Sequence, residues 1–237
     1  MDIAQVPVAI LAGGLASRLG SVASEIPKAL VDVAGRPFID HQLALLRRNG
    51  FRDVVLCVGH LGDQVEAYVG SGVAHGLTVR YSHDVPRLLG TGGALRRALP
   101  LLGEIFWVMY GDSYVDVDFA AALATFLPQR AAGCMTVLRN DDRWDRSNVR
   151  FEEGRLLEYD KKTPAPGMRH IDYGALLLRR EAVERIPPDE PHDLADLLRV
   201  LVVEGRMIGY EASQRFYEIG SPDGLAAARA WLEGKRL

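Results

Sequence analysis

The chain has 237 residues, 48% of them hydrophobic and 25% charged, with 28 Lys plus Arg against 31 Asp plus Glu and a formal net charge of −3. That length can bury a sizeable core, and that composition excludes a mainly disordered chain. The even charge balance gives no electrostatic reason to expect nucleic-acid binding, though it leaves room for a local basic site. Cys57 and Cys134 are too few for a disulfide framework, and the histidines show no zinc-type spacing. No apolar run approaches the roughly 18 to 20 residues that span a bilayer, and the acidic start, Met1-Asp2, does not read as a signal peptide. A reduced, soluble, cytoplasmic protein with no nucleic-acid or membrane partner is expected. Self-association into a homo-oligomer stays open.

In chain order, Val6 to Ala12 is a continuous apolar run ending in Gly13-Gly14, as a strand buried on both faces would be. Phe38, Ile39, Leu43 and Leu46 repeat at helical spacing, and Gly50 closes that helix. Val54 to Val58 is a second buried strand, Asp63 to Val69 a short helix and Leu77 to Ser82 an alternating strand. Gly90 to Leu102 starts glycine-rich and continues as a helix. Ile105 to Tyr110 is a strand that meets Gly111-Asp112, and Asp118 suits the N-cap of a helix to Gln129. This β-α alternation predicts an α/β fold with a mostly parallel central sheet and helices on both faces.

After that the texture changes. Cys134 to Arg139 reads as a strand, Asn148 to Glu152 and Arg155 to Asp160 as a hairpin, and Ile171 to Arg179 as another strand. A helix at Asp193 to Glu204, a strand at Met207 to Ala212 and a helix opened by Ser221-Pro222 complete the chain. The second half is expected to carry a smaller mixed-sheet region forming one wall of a cleft. One domain over residues 1–237 is expected, with a nucleotide-binding half to about residue 130.

The sharpest segment is Leu11 to Lys28, LAGGLASRLGSVASEIPK. Successive N–H groups in the turn Leu11-Ala12-Gly13-Gly14 can form an anion-binding nest. Arg18 offers a planar fork for phosphate oxygens and Lys28 a mobile point charge. Neither G-x-G-x-x-G nor G-x-x-x-x-G-K-[ST] is present, which argues against a dinucleotide-binding fingerprint and a P-loop. Gly90-Thr91-Gly92-Gly93 offers a second nucleotide contact at a helix N-terminus. Asp112 ends a buried strand, where ligands of open α/β sheets bind, and is the first candidate ligand for Mg²⁺.

This sequence resembles the sugar-1-phosphate nucleotidylyltransferases. Their opening motif stands here as Ala12-Gly13-Gly14-Leu15-Ala16-Ser17-Arg18-Leu19 with Pro27-Lys28. The likeness continues at Gly35-Arg36-Pro37, Val58-Gly59-His60-Leu61-Gly62, Leu89-Gly90-Thr91-Gly92-Gly93-Ala94, Gly111-Asp112 and Phe216 to Pro222. The Leu-Gly-Thr-Gly-Gly-Ala form looks most like the D-glycero-D-manno-heptose 1-phosphate guanylyltransferases and related cyclitol-phosphate guanylyltransferases. The resemblance implies a Rossmann-like nucleotidyltransferase fold. It also implies Mg²⁺-dependent transfer of a nucleoside monophosphate from an NTP, GTP favoured, to a sugar 1-phosphate, heptose favoured, with release of pyrophosphate. Another sugar, a cyclitol, a non-sugar phosphate, or a weakly catalytic binding module remain the alternatives.

By the same resemblance, Arg18, Lys28 and Asp112 are catalytic, and Leu11, Ala12, Gly13, Gly14, Gly90 and Thr91 join Arg18 and Lys28 around the NTP. The second metal ligand falls at Glu218, where the family has Asp; capping the last helix is its alternative role. The sugar-phosphate lysine falls at Lys162 by ungapped matching, or at Lys161 with a one-residue slip. Alternation along a strand would let only one of the two face the cleft. Asp172 and Gly174 stand in the family's sugar-contacting N-G-G motif, and Asn148 completes the sugar-phosphate set.

Overall fold

The computed structural model describes residues 1–14, 26–84 and 87–234. The first half runs β1 (Val8–Leu11), β2 (Asp32–Val33), β3 (Arg36–Pro37), α1 (Phe38–Arg48), β4 (Asp53–Val58), α2 (Gly62–Val69), β5 (Thr78–His83), α3 (Gly90–Ala98), β6 (Ile105–Tyr110), β7 (Ser113–Tyr114) and α4 (Phe119–Phe126). The second half runs β8 (Gly133–Arg139), β9 (Val149–Glu152), β10 (Arg155–Tyr159), β11 (His170–Arg179), α5 (Arg180–Val183), α6 (Leu194–Val203), β12 (Met207–Ala212), β13 (Tyr217–Glu218) and α7 (Pro222–Gly234).

Nine strands form the main sheet in the order β5-β4-β1-β6-β11-β8-β12-β10-β9. The first four are parallel. Strand β11 runs antiparallel to both β6 and β8, and β12 pairs parallel with β8. The β9–β10 hairpin closes the far edge. The expected α/β architecture with a mixed second half is what the chain adopts.

Alternate residues of one strand serve opposite layers. Val8 and Ile10 pack with Phe38 of α1, Phe119 of α4 and Leu232 of α7. Ala9, between them, faces the other layer with Leu95 of α3 and Leu198 of α6. Burial on both faces explains why β1, β4 and β6 read as continuous apolar runs.

Two helices stop short of their sequence-based ends. Helix α3 gives way at Ala98 to a 3₁₀ turn over Leu99–Leu101, because Pro100 cannot donate to an α-helical ladder. Helix α4 stops at Phe126, with Leu127 as its still-helical C-cap, because Pro128 has no N–H with which to continue the ladder.

Candidate active site

Strand β1 connects forward to β4 on one side while β6 lies on its other side. The carboxyl ends of β1 and β6 therefore flank the switch point, where open α/β sheets bind ligands. A cleft of about 890 Å³ opens there. Leu11, Ala12, Gly13 and Gly14 line it after β1, and Gly111 and Asp112 line it after β6. Gly111 donates its N–H to the Leu11 carbonyl at 3.0 Å. A Cβ on Gly111 would stand 2.6 Å from that same oxygen, so this turn accepts only glycine without moving backbone.

Asp112 leaves this turn into the cleft. Its Oδ2 accepts from Lys28 Nζ at 2.8 Å and its Oδ1 from Ser113 Oγ at 3.2 Å. Lys28 opens a short 3₁₀ turn, Lys28–Leu30, that follows Pro27. Glu218 arrives from the far end of the chain on a two-stranded ribbon, β7 with β13, in which Glu218 pairs with Ser113. The Ile219 N–H donates to the Asp112 carbonyl at 2.9 Å, which ties the two acidic segments together. Glu218 Oε1 accepts from Ser221 Oγ at 3.1 Å. Ser221 in turn accepts from the Gly224 N–H at 3.1 Å and so caps α7 itself. The carboxylate rests against Gly220 and Gly224, where a Cβ would come within 2.6 and 2.7 Å of its oxygens.

The opposite wall comes from β11 and the segment after β10. A register shift between Asp172 and Leu176 breaks the β11–β8 ladder, and Gly174 sits in it at φ +99°. Such a bulge re-aims side chains, and here Asp172 turns into the cleft. Asp172 Oδ1 accepts from the Gly174 N–H at 3.0 Å and Oδ2 from Tyr110 Oη at 3.4 Å. Asn148 Oδ1 accepts from the Asp172 N–H at 2.9 Å, so Asn148 steadies Asp172. Burial pushes the Asp172 carboxyl above the usual carboxylate range, and Lys161 partly offsets that rise. Burial likewise pushes the Tyr110 hydroxyl well up.

Lys161 lines the cleft, its ammonium 4.9 Å from the centre of the Tyr110 ring. Lys162 turns out to Asp196 of α6, at 2.7 and 2.8 Å from its two carboxylate oxygens. The expectation that Lys162 is the inward lysine is thereby corrected. The chain has left β10 at Tyr159, and Asp160 accepts from the backbone N–H groups of Lys162 and Thr163. That tight turn, rather than strand alternation, sets which lysine faces in.

Gly90 and Thr91 also line the cleft. Thr91 Oγ1 donates to Asp193 Oδ1 at 3.0 Å and accepts from the Leu194 N–H at 2.9 Å. The Gly92 and Gly93 N–H groups both reach the His192 carbonyl. The glycines of α3 thus admit close packing against the start of α6. Arg18 lies outside the described residues, as do Leu15 to Leu19 of the opening motif.

Among the lining residues that sequence reasoning did not single out are Asp84, Trp144 and Arg215. Asp84 follows β5 and is buried, with Oδ2 accepting from the Leu89 N–H at 3.2 Å and Oδ1 buried without a partner. Its place just after a strand was the available signal, the same one that marked Asp112. Arg215 lies over the rings of Trp144 at 5.3 Å and Tyr217 at 4.9 Å, and Tyr217 stacks on Trp231 with centroids 4.5 Å apart. Trp144 and Arg215 line the cleft from loops that no periodicity marks.

Comparison with known proteins agrees with this geometry. Residues 8–204 match the family model of the MobA-like NTP transferase domain. The chain is 30% identical over 225 residues to the N-acetylmuramate alpha-1-phosphate uridylyltransferase of Neisseria meningitidis serogroup B, covering 93% of this chain and 96% of the relative. It is 28% identical over 217 residues to the D-glycero-alpha-D-manno-heptose 1-phosphate guanylyltransferase of Campylobacter jejuni, covering 90% and 94%. The fold superposes on HddC from Yersinia pseudotuberculosis complexed with GMP-PN with a TM-score of 0.80, at 23% identity over 96% of this chain and 99% of that one.

Proposed function

Since the chain belongs to the MobA-like NTP transferase domain family and is a sugar-1-phosphate nucleotidyltransferase, we propose that it transfers the nucleoside monophosphate of GTP to a heptose 1-phosphate. The observation that carries nucleotidyl transfer to a sugar phosphate is the facing arrangement of two walls in one cleft, and the choice of GTP and heptose rests on the heptose 1-phosphate guanylyltransferase relatives. Lys28, Asp112 and Glu218 stand on one side and Lys161 and Asp172 on the other.

The phosphate oxygen of the acceptor attacks the α-phosphorus. The new P–O bond forms as the bond to the bridging α–β oxygen breaks, and pyrophosphate leaves with that electron pair. A phosphate monoester is already anionic near neutral pH, so no general base is needed. Catalysis is then positioning plus charge neutralisation. Lys28 neutralises charge at the α-phosphate, Arg18 the departing pyrophosphate, and Lys161 holds the acceptor phosphate. Asp172 and Asn148 face the acceptor's hydroxyls.

Two carboxylates, Asp112 in the turn after β6 and Glu218 on β13, are hard oxygen donors of the kind Mg²⁺ takes. Asp112 already holds a cation, the Lys28 ammonium, at 2.8 Å. That donor set fits the ion, with Asp112 and Glu218 as its protein ligands. When bound, Mg²⁺ supplies charge stabilisation at the phosphoryl oxygens.

A second reading, UTP with N-acetylmuramate 1-phosphate, is favoured by the uridylyltransferase relative. Pyrophosphate release from four NTPs, each against heptose, hexose, cyclitol and N-acetylmuramate 1-phosphates, tests both. The proposal requires GTP with the heptose to give the highest kcat/KM. A maximum with UTP and N-acetylmuramate 1-phosphate establishes the second reading, and no pyrophosphate from any pair refutes both.

A further inference from the structure

Gln42 sits on α1 among Phe38, Ile39, Leu43 and Leu46 and is 0% exposed. A buried amide on an apolar helix face must find partners for its polar atoms. Gln42 Nε2 donates to the Tyr110 carbonyl at 2.9 Å and to the Ser113 carbonyl at 2.8 Å. These two carbonyls bracket Gly111-Asp112. The amide nitrogen carries two hydrogens, so both are used. A flipped amide would set Oε1 against two carbonyl oxygens, so the chemistry fixes its orientation. Gln42 Oε1 is buried with no partner, a penalty that Leu or Met would not bring to this position.

We propose that Gln42 is a positioning residue for Asp112, stapling the turn that carries this carboxylate from behind the cleft; the proposal rests on Asp112 being a metal ligand. The turn is held in front by the Ile219 N–H on the Asp112 carbonyl and at its start by the Gly111 N–H on Leu11. Gln42 supplies the third hold. Mg²⁺ tolerates little departure from octahedral geometry, so a carboxylate that drifts with its turn binds the ion poorly.

The test uses Gln42→Met, which keeps the length of the side chain and removes both donors. Mn²⁺ is titrated into the intact protein, and free Mn²⁺ is followed by electron paramagnetic resonance. Asp112→Asn and Ile39→Val run beside it, the second loosening α1 without touching the turn. Gln42→Met is expected to weaken Mn²⁺ binding about tenfold, the equivalent of roughly one net hydrogen bond. Ile39→Val should lower the melting temperature and leave Mn²⁺ affinity unchanged. In turnover, Gln42→Met should lose more kcat with Mg²⁺ than with Mn²⁺. If Gln42→Met does not fold, Gln42→Leu, which likewise carries no donor, takes its place. Mn²⁺ affinity in the Gln42 variant equal to wild type overturns the proposal while Asp112→Asn still loses binding. Unchanged affinity in Asp112→Asn overturns the metal-ligand reading beneath it.

Discussion

The ammonium of Lys28 and the carboxylate of Asp112 meet at 2.8 Å across a sequence separation of 84 residues. Their side chains are 16% and 33% exposed, so the pair is shielded from solvent but open to a ligand from the cleft. The lysine rests on the oxygen that the proposed metal requires. Substrate binding then exchanges partners: the phosphates take the ammonium and the carboxylate takes the ion. Each charge stays compensated before and after, which keeps the cost of burying it low.

Asp112→Asn should abolish turnover with the fold intact, because the amide keeps the size and loses the charge. Removing an interaction worth several kcal/mol in the transition state predicts a loss well beyond a hundredfold. Activity within about tenfold of wild type, with an unchanged circular dichroism spectrum, would refute the assignment. Lys28→Met should lower kcat much more than it raises the KM for NTP. Unchanged kcat with weaker NTP binding would mark Lys28 as a uniform binding group instead.

Lys161→Ala should raise the KM for the sugar phosphate, with a loss of roughly 10- to 150-fold in kcat/KM from one charge-assisted contact. The KM for NTP should barely move. Lys162→Ala should be nearly silent, since its partner Asp196 lies on α6 and the pair is exposed. Steady-state kinetics varying each substrate in turn decides between the two lysines, and the reverse pattern would place the acceptor phosphate elsewhere.

Asp172 carries a pH signature. Burial raises its carboxyl above the usual range, so the folded state binds this proton more tightly than the unfolded chain. Stability is then lost as pH rises from about 4, where an unfolded Asp titrates, through the folded value. Asp172→Asn removes that loss. Its melting temperature should match wild type near pH 4 and exceed it increasingly toward neutrality. A gap that stays constant from pH 4 to 8 would count against this cause.

Gly111→Ala forces a Cβ to within 2.6 Å of the Leu11 carbonyl and 2.8 Å of the Ala12 Cα. Both are backbone of the β1 turn, which has little room to yield. The substitution should cost about 1 to 3 kcal/mol by overpacking and displace Asp112 as well. Denaturant unfolding together with kinetics measures both effects. Full stability in the variant would show that β1 and β6 can part at their ends.

Much of this was legible in the sequence. Buried parallel strands must be apolar on both faces, so β1, β4 and β6 announce themselves, and glycines mark their carboxyl ends. Asp112 and Glu218 followed from that placement and from the family's motif. The structure puts Glu218 on a strand paired with Ser113, next in sequence to Asp112. What escaped depends on contacts between distant segments. The place of β11 beside β6 is a pairing that no local pattern encodes. Lys161 faces inward because Asp160 bends the chain, which strand periodicity does not see. Gln42 interrupts an apolar helix face, and no local pattern points to the two carbonyls it holds.

The column Trp144–Arg215–Tyr217–Trp231 gives the molecule an optical readout of its own cleft. Trp107 is sealed in the core at 0% exposure, whereas Trp144 stands 38% exposed at the rim. Acrylamide therefore reaches Trp144, and in part the half-buried Trp231, and spares the core indole. An occupant of the cleft's acceptor half screens Trp144 from the quencher and leaves Trp107 as it was. Occupancy can thus be followed in the unlabelled protein by the quenchable fraction of its emission, with Trp144→Phe supplying the blank.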